Sequence, residues 1–305
     1  KEPSSISFYG EFAQLLPGHP KALNFAGTRS GITYIDDFEN SRSFIDLKGA
    51  YNWQLSGTPQ LFPESQSMES LDYGFNRARL AFYNIDPIFY RNINLTPRNI
   101  NSAELSDHRV REVLEQEVFP FRESTTGLPI FLSTLDLAFY PTVRGPYNFT
   151  TTGVNPDGTL TNPRSRWGGM FRKIDAPDFE SQNIEFIEIW MMDPFLTNPG
   201  SQGGDLYFNL GNISEDILKD GRKAMENGMP PSGDLSQVDE THWGRVPRNQ
   251  PVIQAFDNDP AARARQDIGL DGLSDADERT FHSSFLNQLQ GLLNPDAAQE
   301  LANDP

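Results

Sequence analysis

The chain has 305 residues, carries 25 Lys and Arg against 42 Asp and Glu for a net charge of −17, and contains no cysteine. Such an acidic chain lacks the cationic surface that nucleic-acid phosphates and anionic membranes require. Without cysteine, disulfide frameworks, thiol catalysis and zinc–thiolate sites are excluded.

No apolar run approaches the ~20 residues of a spanning helix. No regular series of ~10-residue alternating segments suggests a transmembrane barrel. No signal peptide opens the chain. Lys1 and Pro305 read as cuts in a longer protein, of which this is a soluble, non-spanning piece.

Residues 1–30 read as an N-terminal extension with a turn at Pro17-Gly-His-Pro20. Strand signals follow at Gly31–Phe38, Ser43–Leu47, Tyr51–Leu55 and Arg77–Tyr83, each rich in β-branched or aromatic residues and bounded by turn formers. After a loop over 84–104, Ser106 is placed as the N-cap of a helix over Asp107–Phe119, with Val110, Val113, Leu114 and Val118 on one stripe and Pro120 as its stop. Ser133–Phe139 is a strand, with Leu135, Leu137 and Phe139 sharing a face. Pro141–Pro163 is a long surface loop. A strand pair is expected around Arg166–Met170, where Gly168-Gly169 signals a bulge or a close backbone approach.

The strongest pattern is Asn183–Asp193. Ile184, Phe186, Trp190 and Met192 alternate with Ile187, Ile189 and Met191, so both faces are apolar. That predicts a central strand covered on both sides, with Trp190 in the core. At about 1.5–3 kcal/mol per buried large side chain, it would be a major part of that core. Gly204–Asn212 is the neighbouring strand, with Leu206, Phe208 and Leu210 on one face. Ser214 then predicts a helix N-cap and Gly228 follows the helix end. Pro230–Asp234 is a linker and 235–257 is irregular. A helical tail places Phe281, Phe285, Leu289 and Leu292 in register.

The fold class expected is mainly β. A jelly-roll-like antiparallel β-sandwich spans 31–213 with a helical insertion near 105–119. A mainly helical C-terminal appendage over 214–305 carries an EF-hand-like loop.

That loop, Asp267-Ile-Gly-Leu-Asp-Gly-Leu-Ser-Asp-Ala-Asp-Glu278, is the sharpest chemical signal. Counted from Asp267, it offers Asp267, Asp271 and Asp275 at positions 1, 5 and 9, the Leu273 carbonyl at 7 and Glu278 at 12, with Gly272 at the turn. This is the oxygen spacing that calcium requires. Asp259-Pro260 would open the entering helix and Ser274 would cap the leaving one. Gly269 at position 3 and Ser274 at position 8 depart from the pattern. The other reading is a polar turn whose Asp275, Asp277 and Glu278 favour a helix N-terminus.

Asp36, Asp37 and Glu39 form a second acidic cluster, read as a solvated strand end or a structural calcium site. Glu185, Glu188 and Asp193 supply carboxylates, but Glu185 and Glu188 fall on opposite faces of one strand, so no glycosidase-like pair stands out. His19, His108, His242 and His282 are scattered, and no nucleophile elbow or phosphate loop is present. No catalytic residue is assigned. Of Trp53, Trp167, Trp190 and Trp243, Trp167 is the candidate for stacking on a sugar ring.

Several strings occur in order: Phe25-Ala-Gly-Thr-Arg-Ser-Gly31, Tyr34-Ile-Asp-Asp-Phe-Glu39, Tyr73-Gly-Phe-Asn-Arg-Ala-Arg79, Arg144-Gly-Pro-Tyr-Asn148, Arg166-Trp-Gly-Gly-Met-Phe-Arg-Lys-Ile-Asp175, Ile189-Trp-Met-Met-Asp-Pro-Phe195, Gly204–Leu218, Asp239-Glu-Thr-His-Trp-Gly-Arg-Val-Pro247, Ala255-Phe-Asp-Asn-Asp-Pro260 and Asp267-Ile-Gly-Leu-Asp-Gly272. Together they cover most of 25–278 and resemble the SprA/Sov family of gliding-motility proteins, the outer-membrane translocon of the type IX secretion system of Bacteroidetes. The resemblance implies a non-enzymatic domain of a very large protein-transport barrel. Its expected partners are other parts of the same translocon, a PorV-like barrel, a plug protein and secreted cargo with a C-terminal sorting domain. The expected location is the outer membrane of a Gram-negative cell, with this piece facing the exterior. The alternative is a carbohydrate-binding jelly-roll module of an envelope or secreted protein.

Overall fold

Two of the expected strand runs find each other. In the computed structural model, β2 (Ala78–Tyr83) pairs antiparallel with β5 (Asp136–Arg144), Leu80 opposite Phe139 and Phe82 opposite Leu137, with a bulge between Ala78 and Arg79. The structure describes residues 8–14, 44–122, 127–176, 178–223, 228–249 and 255–303. Two units divide the chain: Lys1–Ile45 with Asp178–Phe186, and Asp46–Pro177 with Ile187–Pro305.

The described residues of the first unit form no helix or strand. Its one ordered turn runs over 178–184. The Asp178 side chain accepts from Glu180 N–H (3.0 Å), the Phe179 carbonyl from Ile184 N–H (3.0 Å), and Asn183 takes φ +52°. The strand expected at Gly31–Phe38 lies outside the described residues.

The second unit holds the remaining elements. Besides β2–β5, three short antiparallel pairs form. They are β1 (Gln54–Leu55) with β6 (Met170–Phe171), β3 (Val113–Leu114) with β4 (Phe131–Leu132), and the hairpin β7 (Val238–Glu240) with β8 (Arg245–Pro247). Six α-helices occur among the described residues: α1 (Ser102–Leu105), α2 (Glu115–Val118), α3 (Pro260–Gln266), α4 (Asp275–Phe281), α5 (Ser283–Gln290) and α6 (Pro295–Asn303). No described helix is long and apolar enough to cross a membrane.

The pairs do not merge into one sheet. Antiparallel strand pairing is therefore present, but among the described residues the pairs stay separate and no jelly-roll sandwich is seen, and the unit mixes helices with short strands. Asn183–Asp193 and Gly204–Asn212, read as buried strands, carry no strand hydrogen bonds and lie exposed. Trp190 is 64% exposed, with one edge-on contact to Phe119. An apolar run on both faces needs cover on both faces, and here most of its large side chains stay about half exposed or more.

Other local expectations shift. Ser106 ends α1 instead of starting a helix. The cap is Asn101, whose side chain accepts from Ala103 and Glu104 N–H while Glu104 reaches back to Asn101 N–H. Of the single helix expected over Asp107–Phe119 only the turn of α2 forms, because β-branched Val113 joins Leu114 in pairing with β4. Ser214 accepts from Asp216 N–H (3.2 Å) but starts no described helix. The helical tail forms, though His282 separates α4 from α5.

The core gathers Tyr73, Ile217, Leu218 and Trp243, with Leu55, Tyr147, Phe149, Phe171 and Leu270 packed against it. Tyr73 meets Trp243 edge-on at 6.5 Å. Its hydroxyl accepts from Thr58 N–H (2.9 Å), and the Thr58 hydroxyl donates back to the Tyr73 carbonyl. Arg77 is buried beside this core. It donates to the Pro146 (3.1 Å) and Ser56 (3.2 Å) carbonyls and stacks over Trp167. With carbonyls as its acceptors there, burial pulls its guanidinium down to about 10. Gly168-Gly169 is the close approach expected: a Cβ on Gly168 would sit 2.8 Å from the Leu80 side chain.

Candidate functional site

Two features of the second unit can carry chemistry: the Asp267–Glu278 loop and a cleft that shares α4 with it.

The loop is a helix–turn–helix as the spacing predicted. Asp259 caps α3, accepting from Ala262 N–H (2.9 Å), with Pro260 at the first turn, where its missing N–H leaves nothing unpaired. Asp267 closes α3 through its N–H to the Arg263 carbonyl (2.7 Å). Ser274 caps α4, accepting from Asp277 N–H (3.4 Å) and donating its hydroxyl to the Asp277 carboxylate (2.9 Å). Two contacts hold the loop to the fold. The Asp271 carbonyl accepts from Arg245 N–H on β8 (2.7 Å), and the Tyr147 hydroxyl accepts from Leu270 N–H (2.8 Å).

Asp271 is 2% exposed. Its Oδ1 accepts from Leu273 N–H (3.2 Å), while Oδ2 is buried without a donor. Glu278, on α4, lies within hydrogen-bonding reach of it. Burial pushes the Asp271 carboxyl up to about 7; the Leu273 N–H opposes this and the Glu278 charge adds to it. Burial also raises Glu278, and the charge of Asp275 contributes. Two carboxylates so placed repel unless a proton or a cation lies between them.

Of the five residues predicted as ligands, the structure thus brings Asp271 and Glu278 together and sets Asp275 beside Glu278. Asp267 stands at the end of α3. The Leu273 side chain is buried in the core, and its carbonyl accepts a long contact from Gly269 N–H (3.3 Å). Among the described residues, no group of three or more His, Asp or Glu side chains converges as a metal site.

The cleft has a volume of about 750 Å³. Phe75, Phe149, Phe281, His282 and Phe285 line it, and Glu69, Asp220, Asp239 and Glu240 bring carboxylates, with Arg222 among them. Phe149 stacks on His282 (4.2 Å between rings) and meets Phe285 edge-on (5.2 Å). Arg222 is held by Asp239 (2.6 Å), which also accepts from Arg248 (2.7 Å). Both guanidiniums hold the Asp239 carboxyl below its usual range, whereas burial raises Asp220. Burial lowers His282, against its hydrogen bond to the Trp243 carbonyl. The result is an aromatic cleft with surplus negative charge, suited to an apolar side chain flanked by cations.

Sequence reasoning missed this cleft. His242 and His282, read as scattered, both line it. No local pattern links Glu69, Phe149 and Gln288, which reach the cleft from distant positions. Trp167, the sugar-stacking candidate, is 6% exposed and closed off by Phe62 and Arg77. Glu188 accepts from the Trp190 indole (2.8 Å) and Asp193 from Phe195 N–H (2.8 Å), so these two carboxylates serve local turns. Asp36, Asp37 and Glu39 lie outside the described residues. No protein-family model matches the chain, and no curated protein matches it.

Proposed function

We propose that this chain is a non-enzymatic domain of a SprA-like outer-membrane translocon of type IX secretion, with a structural or partner-binding role. The observation that carries this reading is the exposed apolar segment over 186–213. Trp190, Met191, Leu206 and Phe208 are each more than half exposed in a run with the alternation of a strand. Large apolar side chains left exposed together in one stretch of chain are a mark of a protein interface, as expected of one piece of a larger assembly. The ordered strings that resemble the family point the same way. The partners proposed are other parts of the translocon, a PorV-like barrel, a plug protein or exported cargo, and the face proposed is the cell exterior.

The test is made in the full-length parent of a secreting cell. Ile189, Trp190, Met191 and Phe208 are replaced together by Ser. Export of cargo with a C-terminal sorting domain is expected to fail while the parent's outer-membrane level is unchanged. Normal export would refute the reading. Proteolysis of intact cells tests the outward placement, which fails if this segment survives intact.

One observation favours the carbohydrate-binding alternative: the Trp190 indole is 64% exposed. Saturable binding on a glycan array, lost in Trp190→Ala, would establish it.

A further inference from the structure

We infer that the Asp267–Glu278 loop is a calcium site anchored by the carboxylates of Asp271 and Glu278. The observation that points to a ligand is the Asp271 side chain. It is 2% exposed, and its Oδ2 meets no donor. A buried polar oxygen without a partner is rare and calls for an explanation. Here the group within reach is a second acceptor, Glu278. The Arg245 guanidinium on β8 is directed to Asp277 instead (3.3 Å). A shared proton pairs the two carboxyls only by neutralising one of them, whereas a hard divalent cation satisfies both carboxylates at once.

The other oxygen positions of the loop complete the set only by moving toward Asp271 and Glu278, since among the described residues no third acidic side chain converges with them. Calcium takes six to eight oxygens with flexible geometry. Asp271 and Glu278 supply up to four, Asp267 and Asp275 stand at the first and ninth loop positions, and the Leu273 carbonyl retains a free lone pair beside its long contact to Gly269 N–H. Gly269, where a third-position ligand would stand, has a local reason to be glycine. A Cβ there would lie 2.6 Å from Asp271 Oδ1. The loop closes over the Asp271 carboxylate because that position has no side chain. The missing ligand sets a weak site, with a Kd on the order of 10⁻⁴–10⁻³ M. Glu278 is carried by α4, whose far end presents Phe281 to the cleft. Calcium therefore clamps the helix that forms one cleft wall.

The full 305-residue chain is melted in chelator, in about 5 mM calcium and in about 5 mM magnesium. Wild type, Asp271→Asn and Glu278→Gln are compared. Calcium is expected to raise the wild-type Tm by roughly 2–4 °C, and magnesium by less, since it resists dehydration and demands octahedral geometry. Both variants lose the calcium shift. In chelator they melt at or above wild type, because an amide donates to the remaining carboxylate. A second measurement needs no variant. Terbium luminescence sensitised by Tyr147, whose hydroxyl accepts from Leu270 N–H, is expected to appear and to be displaced by calcium. An unchanged wild-type Tm, an equal shift in both variants, or no sensitised terbium signal would each overturn the site.

Discussion

Replacing Trp190 and Trp243 separately by Ala applies one chemical change to two opposite environments. Trp243 is 1% exposed and packs against Tyr73 and Phe149. A Trp side chain buries up to about 250 Å², worth roughly 5–6 kcal/mol at about 25 cal/mol per Å². Its buried Nε1 has no acceptor, which offsets about 1–3 kcal/mol. The expected cost of Trp243→Ala is therefore about 3–5 kcal/mol, the usual range for deleting a core aromatic. Trp190 is 64% exposed, so about a third of its surface is covered, roughly 80 Å² and about 2 kcal/mol at most. A realistic unfolded chain reduces that to about 1–1.5 kcal/mol.

Urea titration with linear extrapolation measures both changes. Trp190→Ala destabilising as strongly as Trp243→Ala would refute the reasoning, since it would mean that Asn183–Asp193 is packed as a core strand. A third variant sharpens the comparison. Trp243→Phe loses roughly 60 Å², about 1.5 kcal/mol, but removes the orphaned N–H, so it is expected to fall within about 1.5 kcal/mol of wild type.

Gly74→Ala would press a Cβ into the Tyr147 carbonyl oxygen, and overpacking of this kind is expected to cost about 1–3 kcal/mol in the same titration. Ser274→Ala removes the α4 cap and is expected to cost about 1 kcal/mol, read in chelator so that it is separate from cation binding. His282 gives a pH dependence. Burial depresses its folded pKa, so the unfolded chain takes up a proton first as pH falls below about 6.5. Its contribution to stability is fully present above that pH and is lost below it. Denaturation at pH 7.5 and pH 5.5 should show the loss in wild type and a smaller one in His282→Phe, and equal losses would refute the assignment.

The features legible in the sequence share a short range. Asp259-Pro260 and Ser274 act on N–H groups two or three residues away, so both caps form where the sequence places them. Strand runs were legible at Arg77–Tyr83 and Ser133–Phe139, and strands form over Ala78–Tyr83 and Asp136–Arg144. The acidic spacing of Asp267–Glu278 was visible, but not that Asp271 is the buried member. That depends on Arg245, Tyr147 and the Gly244 backbone packed around it.

Sequence alone thus determined the charge class, the helix–turn–helix of the acidic loop, and the two strand runs that become β2 and β5, and it narrowed Gly168-Gly169 to a bulge or a close approach. Tertiary structure decided the rest. It left most large side chains of Asn183–Asp193 and Gly204–Asn212 exposed, sent Trp243 instead of Trp190 into the core, and gathered the cleft from residues far apart in the chain. The physical reason is the same in each case. Capping and alternation are satisfied by neighbours along the chain, whereas burial is non-directional and depends on which distant surface arrives to exclude water. An alternating pattern shows which side chains share a face, but it carries no information about what covers that face.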